Sequence, residues 1–340
     1  MSLPSRLFDR LRFEYYMAQH ADNVLRFPEK LSPQRAVIIV GSGRSGTSWL
    51  AQVLRQLPGT LLVNEPFKPP ILAAEGVQVG WRQHVPEDAR WPELEDFFFN
   101  LFRGLTRNRG LFTLNNYADL RAVELPLIKI NRIQLLLPWL LRRLGLQRVV
   151  FLVRNPYAVI ASQMRHGGWD NNGTQINLDF SGESRHYQEP FTAHHNALAR
   201  IDSREGVQTA NWAITNGYLL SHPENNRSWV TLCYEDLVLQ PEAMLRYLFR
   251  RLGLELTPQV LAQVRNPSYS SKDYYENEQQ RLTAWKERLN EQQRGNIRQV
   301  LHALGFGHYT DAGEPDRQRI YNGQLPPELH PTAPEPSANT

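Results

Sequence analysis

Only one cysteine, Cys233, occurs in the 340 residues, so no disulfide can form within the chain. That excludes a scaffold stapled by bridges and suits a reducing compartment; the expected location is the cytoplasm. Cys233 ends the run Trp229-Val230-Thr231-Leu232 and is read as a buried strand residue. No stretch reaches the roughly 18 uncharged apolar residues of a spanning helix. Arg6, Asp9, Arg10, Arg12 and Glu14 interrupt the first twenty residues. They exclude a signal-peptide core and leave at most a helix that touches a membrane surface. A large charge of either sign is also missing. The net charge of +4 suits an anionic ligand and falls short of what a dedicated nucleic-acid binder carries. No His/Cys spacing marks a metal site. His194 and His195 are adjacent in sequence, so on a helix they share no face.

What is present is a composition for one large α/β domain, 41% hydrophobic and 21% charged. Residues 5–19 have helical spacing. Val37 to Val40, Leu61 to Val63, Leu127 to Ile130, Val149 to Val153 and Trp229 to Cys233 read as strands. Helical patterns cover 47–57, 93–105, 135–144, 156–164, 191–221, 241–252, 257–264 and 279–304. Residues 166–189 read as a surface loop, and the Pro-rich segment 311–340 as a disordered tail. The expected organisation is a lead-in over 1–35, a domain over 36–310 and that tail. Alternating strands and helices predict a three-layer fold with a central parallel sheet flanked by helices. Such sheets bind ligands beyond the carboxyl ends of their strands.

Two segments lie just there. Gly41-Ser42-Gly43-Arg44-Ser45-Gly46-Thr47-Ser48 follows a strand and opens a helix. Its small residues let backbone N–H groups approach an anion, and the helix N-terminus adds its own donors. The spacing is that of a phosphate-binding P-loop, but Thr47 stands where that loop's lysine belongs and Arg44 supplies the cation instead. After the strand ending at Val153 comes Arg154, where a nucleoside-triphosphate-using P-loop enzyme would place an acidic metal ligand. An arginine there selects an anion with planar paired donors. Ser162, eight positions on, lies two helical turns further along. Together the two segments form two anion sites without the apparatus for a metal.

These segments resemble the two signatures with which sulfotransferases bind 3′-phosphoadenosine-5′-phosphosulfate (PAPS). The first runs from Gly43 to Leu50 and the second from Arg154-Asn155-Pro156 to Ser162. Tyr234-Glu235-Asp236-Leu237 with Pro241, and Trp285-Lys286 with Leu289, are weaker likenesses, and the whole covers about residues 36–305. The resemblance implies a P-loop-like α/β fold. It implies that Arg44, Ser45, Gly46, Thr47 and Ser48 hold the 5′-phosphosulfate, that Arg154 and Ser162 hold the 3′-phosphate, and that Tyr234 lies near the adenine. The cytosolic aryl type carries a catalytic histidine where this chain has Asn131, which cannot act as a base. The Arg-Ser-Gly-Thr loop looks more like the carbohydrate, tyrosyl-protein and bacterial branches, which use a carboxylate shortly after the first helix. Here that carboxylate is Glu65.

The expected reaction is in-line, metal-independent transfer of a sulfuryl group to an acceptor hydroxyl. Glu65 takes the acceptor proton, while Lys129 and Arg44 offset charge as the sulfuryl group leaves. The expected acceptor is a carbohydrate or another small biosynthetic alcohol. It would be walled by residues 68–120 and 166–200, which interrupt the alternation. The competing readings are a P-loop nucleotide kinase, which needs the missing lysine and acid, and a non-catalytic nucleotide-binding protein, which has no use for Glu65.

Overall fold

The computed structural model describes residues 3–106, 108–168, 173–178, 189–266 and 275–329. Its centre is a sheet of five parallel strands: β1 (Val37–Gly41), β2 (Thr60–Asn64), β3 (Leu125–Asn131), β4 (Arg148–Val153) and β5 (Val230–Cys233). Their spatial order is β2-β3-β1-β4-β5. The apolar runs explain the layer. Val37 to Val40, Leu127, Ile128, Ile130 and Val149 to Val153 are at most 1% exposed. Each such side chain taken from water is worth roughly 1.5–3 kcal/mol. With both faces of the sheet covered, the runs need no polar alternation. The register pairs Gly41 with Asn131 on one side and Leu152 on the other. The strands therefore finish nearly level, and the residues that follow them meet at one edge.

Helices flank the sheet. α1 (Leu3–Arg26) outruns its expected span, and α2 (Thr47–Leu54) packs on β1 and β3. The stretch between β2 and β3 holds α3 (Pro69–Ala74) and α4 (Pro92–Phe102). α5 (Leu137–Leu144) and α6 (Pro156–His166) each carry proline in the first turn, where the missing N–H is no loss.

The expected helix over 191–221 is instead α7 (Glu189–Thr192), α8 (His195–Leu198) and α9 (Arg204–Leu220). The Ser203 side chain accepts from the Gly206 N–H at 3.2 Å and starts α9 afresh. Phe191, Leu198 and Val207, all buried, hold the short helices against α9. After β5 come α10 (Tyr234–Leu239) and α11 (Pro241–Leu252). Gly253 closes α11 in the left-handed conformation, φ 62°. α12 (Pro258–Gln263) follows. The expected helix over 279–304 is broken into α13 (Glu278–Thr283), α14 (Trp285–Arg288) and α15 (Glu291–Ala303). Asn290 and Gln293 form a capping box that opens the last of these.

The expectation of a disordered tail from 311 is corrected over residues 311–329. Ile320 and Tyr321, the latter following the short helix α16 (Arg317–Ile320), are fully buried. Asn225 donates to the Ile320 carbonyl at 2.9 Å and Asn226 to the Gln324 carbonyl at 3.0 Å. Arg317 pairs with buried Asp236 at 2.7 Å. Two large apolar anchors outweigh a polar, Pro-rich composition. Residues 330–340 lie outside the described residues. Cys233 is buried as expected. Burial, with the Glu235 and Asp236 carboxylates, pushes its thiol well above the ordinary range. No helix among the described residues is long and apolar enough to cross a membrane.

Candidate active site

The loop after β1 is tied down from outside. Asn216 and Gln134 donate to Ser42 Oγ at 2.9 and 3.3 Å, and Gln163 donates to the Gly43 carbonyl at 3.0 Å. Arg154 Nη1 donates to the Arg44 carbonyl at 3.1 Å, and Ser45 Oγ donates to the Ser42 carbonyl. With these oxygens occupied, the loop is left to present N–H groups at the head of α2. Arg44 (φ 78°) and Gly46 (φ 100°) both adopt left-handed backbone, which curls the chain around that head.

Gly46 has no alternative here. A Cβ at this position would meet the Tyr234 ring at 2.7 Å. That ring is itself held by Arg281 Nε, which donates to the hydroxyl at 2.8 Å, and by the Arg154 guanidinium 4.2 Å from its centroid. Gly46→Ala is therefore expected to lower the melting temperature by a few degrees and to weaken nucleotide binding at least about tenfold, since left-handed strain alone costs about 1–3 kcal/mol. Thermal melts and calorimetry check this, and unaltered values for both would show that the loop has room to shift.

Arg154 leaves the end of β4 and lies against Tyr234, while Arg44 Nε donates to Ser162 Oγ at 3.0 Å. Of the residues expected to hold the donor, Arg44, Gly46, Thr47, Ser48, Arg154, Ser162 and Tyr234 thus line one cleft, while Ser45 is buried and does not. Arg154 Nε is buried and has no hydrogen-bond partner among the described residues. The turn that carries Arg154 is braced from below. The Asn155 N–H donates to Glu235 at 2.9 Å, and its side chain donates to the Gly313 carbonyl at 2.8 Å.

On the other side of β1, Glu65 follows β2 with φ 56° and its N–H donates to the Lys129 carbonyl at 2.8 Å. Lys129, 4% exposed, donates to Glu65 Oε1 and to Asn64 Oδ1. The Asn131 side chain donates to Glu65 Oε1 at 2.5 Å, and its N–H donates to Oε2 at 3.3 Å. Thr47 donates to Asn131 Oδ1 at 3.3 Å. A chain of contacts therefore runs from the loop through Asn131 to the Glu65–Lys129 pair. In the sequence Asn131 shows only as a missing histidine; in the fold it holds the carboxylate.

The cleft has a volume of about 770 Å³ and receives residues from the ends of all five strands. Eight cations line it (Arg44, Lys68, Lys129, Arg132, Arg154, Arg265, Arg281 and Arg288) against the carboxylates Glu65, Glu276 and Glu278. That balance suits a ligand carrying several negative charges. Arg281 and Arg288 were missed in the sequence, although they flank Trp285-Lys286. Trp285 itself stacks on Tyr157, 4.8 Å between centroids. A second depression over α15, of about 650 Å³, holds none of the expected site residues.

Residues 36–258 match the model of the sulfotransferase family. No curated protein matches the chain. Among solved structures, the chain is similar to the sulfotransferase domain from the curacin biosynthetic pathway, at 17% identity, TM-score 0.43, covering 80% of this chain and 98% of that one. It is also similar to mouse sulfotransferase SULT7A1 complexed with PAP, at 14% identity, TM-score 0.42, covering 80% and 84%. A third is sulfotransferase STF9 from Mycobacterium avium, at 16% identity, TM-score 0.38, covering 84% and 81%. The family match spans all five strands and the loops after β1 and β4 that line the cleft; this chain belongs to the sulfotransferase family.

Proposed function

We propose that the chain transfers the sulfuryl group of PAPS to the hydroxyl of a carbohydrate or other small biosynthetic acceptor. The observation that carries this reading is Arg154 Nε, a buried donor at the end of β4 without a partner among the described residues. A buried donor left unpaired costs roughly 1–3 kcal/mol, which a 3′-phosphate would recover. The domain responsible is taken as residues 36–310, and the one buried cysteine suits a cytoplasmic setting.

PAPS supplies a sulfuryl group on a phosphate leaving group. The N–H groups of Gly46, Thr47 and Ser48, with Ser45 and Arg44, hold the 5′-phosphosulfate. Arg154 and Ser162 hold the 3′-phosphate. Tyr234 supports Arg154 and the loop on the adenosine side. Glu65 accepts the acceptor's proton as its oxygen forms a bond to sulfur. Lys129 and Arg44 offset the charge that appears on the departing phosphate oxygen as the sulfur–oxygen bond breaks. The products are the sulfate ester and PAP, with the proton on Glu65. Calorimetry with EDTA present should show PAP binding more tightly than AMP. Equal affinities would remove the 3′-phosphate site.

A further inference from the structure

The sheet order divides the cleft. Arg44, Arg154 and Tyr234 follow β1, β4 and β5, while Glu65, Asn131 and Arg132 follow or end β2 and β3, on the far side of β1. Donor binding occupies the first wing. The second carries a cation that neither donor binding nor proton transfer employs.

That cation is Arg132. Its backbone is left-handed, φ 68°, at a cost of roughly 1–3 kcal/mol for a residue with no short side chain to compensate. Its guanidinium stacks over Trp81, 4.6 Å from the ring centroid, and lines the cleft. Burial pushes its ionisation below the ordinary range, and the Glu65 charge opposes that. No hydrogen bond or ion pair reaches its guanidinium among the described residues. Glu65 is already engaged, since Oε1 takes Lys129 and the Asn131 side chain and Oε2 takes the Asn131 N–H. By contrast Lys129, Arg154 and Arg281 each have a partner within the protein. A partly desolvated guanidinium with open donors is costly unless an anion completes it. Lys68, exposed and three residues beyond Glu65, adds charge to the same wall.

We propose that Arg132, seated on Trp81 and assisted by Lys68, recognises an oxyanion on the acceptor close to the hydroxyl that meets Glu65. The acceptor is then an anionic alcohol, bearing a carboxylate, an ester sulfate or a phosphate. The proposal rests on the sulfotransfer reading with Glu65 on the acceptor side.

Radiolabelled PAPS and matched acceptor pairs test it. The pairs are glucuronic acid-containing disaccharides and their carboxyl-reduced counterparts, hydroxy acids and their methyl esters, and sulfated and unsulfated N-acetylglucosamine glycosides. The anionic member of at least one pair should be labelled at least about tenfold better than its partner, and less so as salt rises. Arg132→Gln should lower kcat/KM for that acceptor at least about 30-fold, mainly through KM, with PAP affinity unchanged. Arg132→Lys should recover part of the loss, more for a sulfate than for a planar carboxylate that wants the paired donors. Lys68→Gln, at an exposed site that leaves the fold alone, should give a smaller rise in KM for the same acceptor.

Four results would overturn the proposal: equal labelling of both members of every pair, no labelling of any anionic member while PAP binds, equal losses for anionic and neutral acceptors in both variants, or weakened PAP binding in Arg132→Gln with unchanged acceptor KM. Absence of PAP binding to the wild type is a different failure. It would remove the sulfotransfer reading, and this proposal with it.

Discussion

Glu65→Gln is expected to lower turnover by roughly 10²-fold or more while leaving PAP affinity near wild type. The amide keeps the shape of the side chain and an oxygen for Lys129 and Asn131, but it accepts no proton from an acceptor hydroxyl. The contacts that position Glu65 make the experiment demanding. Lys129 is 4% exposed and, among the described residues, Glu65 is the only carboxylate paired with it, so the amide leaves a buried ammonium without its counter-charge. Breaking a buried pair from one side can cost several kcal/mol. A melting curve must accompany the kinetics, and Glu65→Asp, which keeps the charge but retracts it, should be folded yet slow. Loss of rate with intact PAP binding separates a missing base from a folding defect. Near-wild-type turnover with chemistry limiting would move the base to the carboxylates and histidines of residues 166–200.

Arg154→Ala is expected to weaken PAP binding by roughly 2–5 kcal/mol, through loss of a desolvated charge-assisted pair. AMP, without the 3′-phosphate, should lose far less. It should still lose something, because Arg154 also donates to the Arg44 carbonyl and stacks on Tyr234. The difference between the two nucleotides, measured by calorimetry on wild type and variant, isolates the phosphate contact from the loop effect. An intact fold with unchanged PAP affinity would take Arg154 out of the site.

The parts of the fold that were legible in the sequence are those whose signal is local. Val37 to Val40 and Val149 to Val153 are continuous apolar runs, mostly β-branched, because a strand buried on both faces has no polar side to show. Gly46 and Gly253 stand where left-handed backbone is needed, and Pro156 and Pro241 stand in first turns. The segments that were misread depend on partners far along the chain. Residues 311–329 look like a tail until Ile320 and Tyr321 are seen against Asn225, Asn226 and Asp236, roughly 85 to 95 positions away.

The same division holds for the site. The chain's own order of residues determined that two segments with the pattern of anion sites follow two strands, that Thr47 stands where a P-loop has its lysine, and that the carboxylate of Glu65 follows a third strand. Residue type and its place relative to a strand end suffice for that, since the main chain supplies the geometry. Only the tertiary structure decided which charges are already spent. Lys129 is bound to Glu65, Asn131 holds that carboxylate, and Arg132 beside Trp81 is left with open donors among the described residues. Charge pairing is a matter of distances of a few ångströms between residues some 50 to 66 positions apart, and a linear sequence carries no such distance.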